Sequence, residues 1–158
     1  MNLSELPPDF TFVPLPQTSE ARDFAFEAKR AAMGPHILRR WSWDEAFQRD
    51  LHRRHFNEKP FFMIRRAGQS IGTLSFVLLP DHVRFGEFHL LPAFHGHGYG
   101  TAILRHCLSL ADELGLPIRL EHLHWNPVRS LYHRHGFVEI GRSDTHCFLE
   151  RPASRCLA

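Results

Sequence analysis

The stretch His95–Thr101 reads His-Gly-His-Gly-Tyr-Gly-Thr, and it decides how this chain folds and what it binds. It follows the apolar run Leu90-Leu91-Pro92 and precedes a helical pattern, so a strand, a glycine loop and a helix come in succession. Glycine lets the main chain approach an anion closely. Free N–H groups at the start of a helix point toward such an anion. The stretch therefore predicts a site for a phosphorylated ligand.

The composition is that of an ordinary globular protein, with 158 residues, 43% of them hydrophobic and 23% charged. We expect a single domain over residues 1–158, with residues 1–8 and 152–158 as loose tails. The formal net charge of +2 is too small to favour a nucleic-acid partner. No apolar run approaches the ~20 residues of a membrane span, and the start of the chain does not resemble a signal peptide. These features predict a cytoplasmic protein without a membrane partner.

The hydrophobic periodicity predicts the order strand, two helices, three strands, helix, strand, helix and two strands. This order implies an α/β fold, a mixed and mostly antiparallel sheet of about six to seven strands flanked by about four helices. The predicted helices are Ser19–Met33, one that starts at Ser42, Gly98–Leu114, and one from Asn126 to Gly136. The predicted strands are Phe10–Val13, Phe61–Ile64, Ser70–Leu79, His82–Leu91, Ile118–Leu123, Phe137–Gly141 and His146–Glu150.

The sequence also predicts where two of the helices begin or end and which faces are buried. Gly34-Pro35 is expected to end the first helix. Ser42 and Glu45 form a capping-box pattern for the second helix, whose apolar stripe would be Trp43, Phe47 and Leu51. The third helix is expected to bury one apolar face, formed by Ile103, Leu104, Cys107, Leu108 and Ala111. In the strand at residues 70–79, apolar and polar residues alternate, which places Leu74, Phe76 and Leu78 on one face.

Nucleotide-binding folds fit the glycine loop less well. A Rossmann fingerprint needs Gly-x-Gly-x-x-Gly after the first strand of a βαβ unit. Here the spacing is Gly-x-Gly-x-Gly, and antiparallel strands precede it. A P-loop needs Gly-Lys-Ser/Thr, which the chain lacks.

Two segments together resemble the GNAT superfamily of N-acetyltransferases. The loop His95–Gly100 is similar to that superfamily's pyrophosphate motif, Gln/Arg-x-x-Gly-x-Gly/Ala. About 30 residues further on, Asn126–Phe137 is similar to its Asn…Ala…Leu-Tyr…Gly-Phe element. The stretch from Arg30 to Gln48 resembles a branch of small, largely uncharacterised bacterial members. One position departs from the pattern, because His95 stands where the family usually has Gln or Arg.

The resemblance implies that acetyl-CoA is the co-substrate and that a primary amine attacks it directly. It implies that the main-chain N–H groups of His97–Thr101 bind the pyrophosphate and that Leu90 and Leu91 pair with the pantetheine arm like an added strand. Asn126 either caps its helix, touches the cofactor, or does both. The implied cofactor-binding residues are Leu90, Leu91, His95, Gly96, His97, Gly98, Tyr99, Gly100, Thr101, Asn126 and Tyr132.

The resemblance also implies catalytic roles. Tyr132 occupies the family's usual acid position, and a phenol with a pKa near ~10 matches an alkyl thiol. Alternatively, Tyr132 only fills an apolar helix face. Glu87 is the candidate base, because an apolar setting would raise its pKa. The alternatives are a structural carboxylate paired with Arg84 or another cation, a role through water, and His89 as the base.

Trp41 and Trp43, together with Glu87, are the candidate acceptor-binding residues, although Trp43 also fits core packing. The basic cluster at residues 52–55 is expected to complement a helix end. The 13 histidines and the three cysteines, Cys107, Cys147 and Cys156, do not have the spacing of a metal site or a disulfide framework. We expect acetylation of a small-molecule amine. A protein or peptide amine, and a non-catalytic acyl-CoA sensor or scaffold, are the alternatives, and a homodimer is left open.

Overall fold

The computed structural model describes residues 9–39 and 41–154. Within this part of the chain there are four α-helices and seven strands, which confirms the predicted α/β fold. The helices are α1 (Ser19–Leu38), α2 (Glu45–Glu58), α3 (Tyr99–Leu114) and α4 (Arg129–Arg134). The strands are β1 (Phe10–Pro14), β2 (Phe61–Arg66), β3 (Gln69–Leu78), β4 (Val83–Leu90), β5 (Ile118–Leu123), β6 (Val138–Arg142) and β7 (His146–Arg151).

The strands follow the order β1-β2-β3-β4-β5-β7-β6. The pairs β1–β2, β2–β3, β5–β7 and β6–β7 are antiparallel. Strands β4 and β5 are parallel, and their pairing is confined to Val83 and Arg84 of β4. The sheet is therefore mixed and mostly antiparallel, as the order of the elements predicted.

The chain divides into two compact units. The first unit comprises residues 9–76 and 87–97, and the second comprises residues 77–86 and 98–154. Strand β4 contributes its second half to the first unit and its first half to the second.

The core of the first unit lies between α1, α2 and β2. Ala21 and Ala25 of α1 pack with Phe56 of α2 and Phe61 of β2. His52 of α2 is also buried, and its Nε2 atom donates a hydrogen bond to the Arg22 carbonyl oxygen at 3.0 Å. Burial lowers the pKa of this imidazole, so His52 is a neutral core residue.

Helix α1 extends beyond the predicted stop at Gly34-Pro35, and Pro35 lies inside it. Proline removes one helical hydrogen bond, but continuation of the helix buries Ile37 to 7% exposure. The free energy gained by burying Ile37 therefore exceeds the cost of a proline inside the helix. The ring of Trp43 lies close to Gly34, where a Cβ atom would be 3.9 Å from it.

Helix α2 begins two residues later than the capping-box pattern predicts. Its N-cap is Asp44, whose Oδ1 atom accepts a hydrogen bond from the Phe47 amide at 3.0 Å. The buried face is therefore Gln48, His52 and Phe56, while Phe47 is 56% exposed. The predicted stripe of Trp43, Phe47 and Leu51 was wrong, because it depended on the wrong cap.

Strand β3 is buried on both faces over Ile71–Ser75, and Leu78 is 58% exposed. The predicted alternation of Leu74, Phe76 and Leu78 was therefore wrong. A strand in the interior of a sheet with both faces covered does not need an alternating pattern.

The second unit follows the sequence prediction more closely. All five predicted apolar residues of α3 are buried. Gly115 ends the helix in the left-handed conformation at φ +68°, and its amide donates to the Ala111 and Asp112 carbonyl oxygens. The β6–β7 hairpin and the alternation along β5 were also predicted correctly.

The end of β7 is tied to α3. Arg151 donates to both carboxylate oxygens of Asp112, at 2.8 and 3.1 Å, and the Ser154 amide donates to Asp112 at 2.8 Å. Residues 1–8 and 155–158, including Cys156, lie outside the described residues. None of the described helices has the length and apolar character needed to cross a membrane.

Candidate active site

The glycine loop adopts a conformation that only glycine takes easily. Gly96 has φ +76° and Gly98 has φ +78°, and Gly98 is the N-cap of α3. No side chain caps this helix, and its first turn contains no acidic residue. The start of α3 therefore keeps its positive partial charge for an external anion.

His95 is engaged with the end of β4. Its Nε2 atom lies 2.7 Å from the Leu90 carbonyl oxygen, and a short 3₁₀ helix at Pro92–Phe94 lies between the two residues. This hydrogen bond ties the loop to the end of β4. The sequence did not predict the 3₁₀ helix.

The Leu91 amide donates to the Ile71 carbonyl oxygen at 2.9 Å. This donor is already used by the protein, so it does not serve the pantetheine arm as the resemblance implied.

Glu87 has an unusual backbone conformation for a residue within a strand, with φ +49°. A non-glycine residue in this region is uncommon, and such residues concentrate at functional sites. The Thr73 hydroxyl donates to the Glu87 carbonyl oxygen at 3.1 Å and holds this conformation. The local twist directs the Glu87 side chain into a group of basic residues.

Three basic side chains contact the Glu87 carboxylate. Lys59 Nζ lies 3.1 Å and His55 Nδ1 lies 3.3 Å from Oε1, and His89 Nε2 lies 3.6 Å from Oε2. Glu87 and His89 are each only 11% exposed. Lys29 of α1 couples electrostatically to Glu87 and Lys59. We call Lys29, His55, Lys59, Glu87 and His89 the Glu87 cluster.

The electrostatics of Glu87 differ from the sequence prediction. Burial raises its pKa, but hydrogen bonds from His55 and His89 and the charges of His89 and Lys59 outweigh burial and lower it well below 4.5. The predicted raised pKa was wrong because the surroundings are basic rather than apolar. The partners are Lys59, His55 and His89 rather than Arg84, and they fit the alternative of a carboxylate paired with another cation.

The contacts of His55 and Lys59 with Glu87 were not predicted from the sequence, nor was the role of Lys29. His55 lies in the last turn of α2, as predicted for the basic cluster, but its ring also faces Glu87. One feature of the sequence could have drawn attention to the two lysines, because Lys29 and Lys59 are the only lysines in it.

Tyr132 lies on α4 and is 7% exposed. Its ring stacks on His122, with centroids 6.2 Å apart, and meets Phe137 edge-on at 5.5 Å. Burial raises the pKa of its hydroxyl above the ordinary value of 10. The predicted match to an alkyl thiol was therefore wrong, and the phenol is protonated throughout the neutral pH range.

Asn126 precedes α4 without serving as its N-cap, which is Val128. Its Oδ1 atom accepts a hydrogen bond from the Val128 amide at 3.1 Å. The side chain thus closes the turn that leads into a helix shorter than predicted, which begins at Arg129.

The two candidate acceptor tryptophans lie in different surroundings. Trp41 is 45% exposed. Trp43 Nε1 donates to the Glu45 carboxylate at 2.8 Å, and its ring lies 6.2 Å from that of Phe26.

Among the described residues, no three His, Cys, Asp or Glu side chains could hold a metal ion together. In the Glu87 cluster, the Lys59 ammonium occupies the carboxylate oxygen that a cation would bind. Cys107 and Cys147 are free, buried thiols, and burial raises the pKa of Cys107 to about 12.

The sequence pattern of the acetyltransferase (GNAT) family matches residues 20–137, more than half of the chain. This match and the fold define an acyltransferase scaffold. The chain belongs to the GNAT acetyltransferase family. A comparison with curated protein sequences gave no match.

Solved structures share this fold at low sequence identity. A protein from Pyrococcus horikoshii superposes with a TM-score of 0.71 at 17% identity, covering 92% of this chain and 99% of its own. PaiA N-acetyltransferase from Thermoplasma acidophilum, in complex with coenzyme A, has a TM-score of 0.69 at 15% identity, covering 90% and 99%. The ribosomal-protein-S18-alanine N-acetyltransferase from Escherichia coli has a TM-score of 0.66 at 16% identity, covering 93% and 96%.

Proposed function

We propose that this protein transfers an acetyl group from acetyl-CoA to the primary amine of a small molecule. The observation that carries this proposal is the uncapped start of α3, which directly follows two glycines at positive φ. In a member of this family, such a helix start fits the pyrophosphate of coenzyme A. The similar structure solved with coenzyme A supports the same ligand.

Backbone groups supply most of the proposed cofactor contacts. The main-chain N–H groups of His97–Thr101 bind the pyrophosphate, and Gly96 and Gly98 allow the chain to approach it. The pantetheine arm pairs with the backbone at Leu90, beyond the two residues of β4 that pair with β5. Asn126 contributes by ordering the turn before α4.

His89 is the proposed base, and Glu87 is its positioning residue. The amine nitrogen bonds to the thioester carbonyl carbon as the carbon–sulfur bond breaks, and the nitrogen must lose a proton. The lowered pKa makes Glu87 a poor proton acceptor. Its charge instead orients the His89 imidazole and stabilises the imidazolium that forms when His89 takes the proton.

Tyr132 is the proposed donor to the leaving sulfur. The sulfur departs with the electron pair of the broken bond, so it needs a hydrogen-bond donor or a proton. The raised pKa keeps the Tyr132 phenol protonated. We therefore propose that Tyr132 stabilises the thiolate mainly as a hydrogen-bond donor.

Trp41 and Trp43 are proposed to line the acceptor site. The half-exposed ring of Trp41 offers an apolar surface to a substrate, whereas the hydrogen bond from Trp43 to Glu45 suits a wall residue. The small-molecule acceptor is proposed because the Glu87 cluster is largely buried.

The test combines binding and turnover in the intact protein. Acetyl-CoA is expected to raise the Tm, and thiol release is expected with at least one class in a panel of amines, amino acids, polyamines and peptides. No Tm shift at saturating acetyl-CoA would overturn the proposal. Binding without thiol release would instead indicate a sensor, and product only on peptides would indicate a protein acceptor.

A further inference from the structure

A buried threonine of β3 contacts the backbone of Glu87. Thr73 is 0% exposed, and its Oγ1 atom donates a hydrogen bond to the Glu87 carbonyl oxygen at 3.1 Å. A hydroxyl group that is buried in this way needs a hydrogen-bond partner. Here the partner is the backbone of the residue that contacts the proposed base, so the bond links the interior of the sheet to the candidate site.

The backbone of Glu87 is held away from the conformation that a strand favours. Its φ of +49° lies in the left-handed region, which costs free energy for any residue with a side chain. A return to the extended φ of about −120° would turn the side chain through most of a half-circle relative to the preceding chain. The surrounding structure must therefore hold φ at its positive value if the carboxylate is to stay beside its basic partners.

Strand β3 holds β4 at more than one point. The Leu91 amide donates to the Ile71 carbonyl oxygen at 2.9 Å, which fixes the chain beyond Glu87. Thr73 supplies a contact at Glu87 itself. The second contact acts directly on the residue with the positive φ, so it controls where the carboxylate points.

The position of this carboxylate matters for the proposed chemistry. Its Oε1 atom lies 3.1 Å from Lys59 Nζ, and its Oε2 atom lies 3.6 Å from His89 Nε2. A displacement of about 1 Å in such a constellation can lower turnover by about 10²-fold, even when the altered residue is remote from the reacting atoms. A small change in the backbone of Glu87 should therefore be visible in the rate.

We infer that Thr73 is a positioning residue for acetyl transfer, whose hydroxyl group holds the backbone of Glu87 so that the carboxylate stays beside His89. The inference rests on the proposed function, because that function makes His89 the base. Thr73 is fully buried and acts through Glu87 rather than on the substrate. Loss of its hydroxyl group should therefore lower kcat and leave the KM for acetyl-CoA little changed.

Variants at Thr73 test this role. Thr73→Val keeps the volume and removes the hydroxyl group, and it should lower kcat by about tenfold or more, whereas Thr73→Ser should retain most of the turnover. Ser75→Ala is the matched control, because the buried Ser75 hydroxyl also belongs to β3 and donates to a backbone carbonyl, that of Pro60, at 2.8 Å. An unchanged kcat in Thr73→Val, or an equal loss in Ser75→Ala, would overturn the inference.

A double-mutant cycle shows whether Thr73 acts through Glu87. In the Glu87→Gln background, Thr73→Val should lower kcat by no more than about twofold, because the carboxylate that the hydroxyl group positions is already absent. The full tenfold loss in that background would overturn the inference, since Thr73 would then act by another route.

Titration of Glu87 by NMR gives an answer even if no amine is turned over. In protein labelled at the glutamate side-chain carboxyl carbon, the Glu87 signal is the one that is absent from Glu87→Gln. Burial raises the pKa of this carboxyl group, but its basic neighbours lower it well below 4.5. The pKa should move toward its ordinary value in Thr73→Val and stay low in Thr73→Ser and Ser75→Ala.

An unchanged pKa of Glu87 in Thr73→Val would overturn the inference, whether or not the protein is an acetyltransferase. If Thr73→Val does not fold, Thr73→Ala takes its place, because it also lacks the hydroxyl group.

Discussion

Gly72 of β3 lies directly against the backbone of His89 in β4, so that a Cβ atom at Gly72 would come within 2.2 Å of the His89 carbonyl oxygen. The proposed base is therefore positioned by a close approach of two strands as well as by Glu87. Only a residue without a side chain permits this approach.

Gly72→Ala should consequently destabilise the protein by about 2 kcal/mol or more, because backbone atoms must move to admit the methyl group. Urea unfolding measures the effect. Gly34→Ala is the matched control, since its Cβ atom would make an ordinary contact of 3.9 Å with Trp43 and alanine favours a helix. Equal stability of the two variants would contradict the close packing at His89.

Gly98→Ala should weaken acetyl-CoA binding, because alanine resists φ +78° and the amide groups at the start of α3 would be displaced. Gly68→Ala provides the control, since Gly68 has φ +79° in the β2–β3 turn and open space around it. Both variants should lose about 1 kcal/mol of stability through backbone strain. Calorimetric titration should show weaker acetyl-CoA binding only for Gly98→Ala. An equal loss of acetyl-CoA affinity in both variants would contradict the proposed phosphate site at the start of α3.

The depressed pKa of Glu87 makes the stability of the protein depend on pH. Its carboxylate stabilises the folded state above the unfolded-state pKa of about 4.5, and this contribution is lost as the pH falls through the lower folded-state value. Glu87→Gln should thus be less stable at neutral pH, by about 3 kcal/mol. The difference should shrink in acid.

Unfolding curves at several pH values test this expectation. Glu139→Gln is the control, because the Glu139–Arg142 pair is on the surface, where solvent screens it, and should contribute little to stability. If the difference in the free energy of unfolding between Glu87→Gln and the wild type does not change with pH, the pKa of Glu87 is not lowered in the folded protein.

The pH–rate profile separates the two candidate bases. The lowered pKa of Glu87 keeps it charged near neutrality, so its own titration should not shape the acidic limb. Glu87→Gln should lower the rate, because the carboxylate beside the His89 imidazole is lost. His89→Gln should remove the limb, and a limb that persists in His89→Gln would assign the proton transfer to His55 or water.

Tyr132→Phe should lower kcat by about 10²-fold while acetyl-CoA affinity stays near that of the wild type. The phenylalanine ring preserves the contacts with His122 and Phe137 and removes only the hydroxyl. Steady-state kinetics and calorimetric titration together check this result. Unchanged turnover would leave Tyr132 with a packing role alone.

The amino-acid sequence by itself determined the order of the elements, the glycine loop and the buried face of α3. These features depend on neighbours within one turn or one strand, where periodicity and glycine conformation are direct physical signals. The same local signals failed at Pro35 and Ser42, where burial of Ile37 and of the Gln48 face outweighed the local preference.

Only the tertiary structure decided the character of the candidate site. Lys59 and Glu87 are 28 residues apart in the chain and 3.1 Å apart in space, and no sequence pattern indicates such a contact. The ionisation of Glu87 depends on which charges approach it once water is removed. The sequence identified the position of Glu87, but only the tertiary contacts show that it is an acidic carboxyl group beside His89 rather than a base in apolar surroundings.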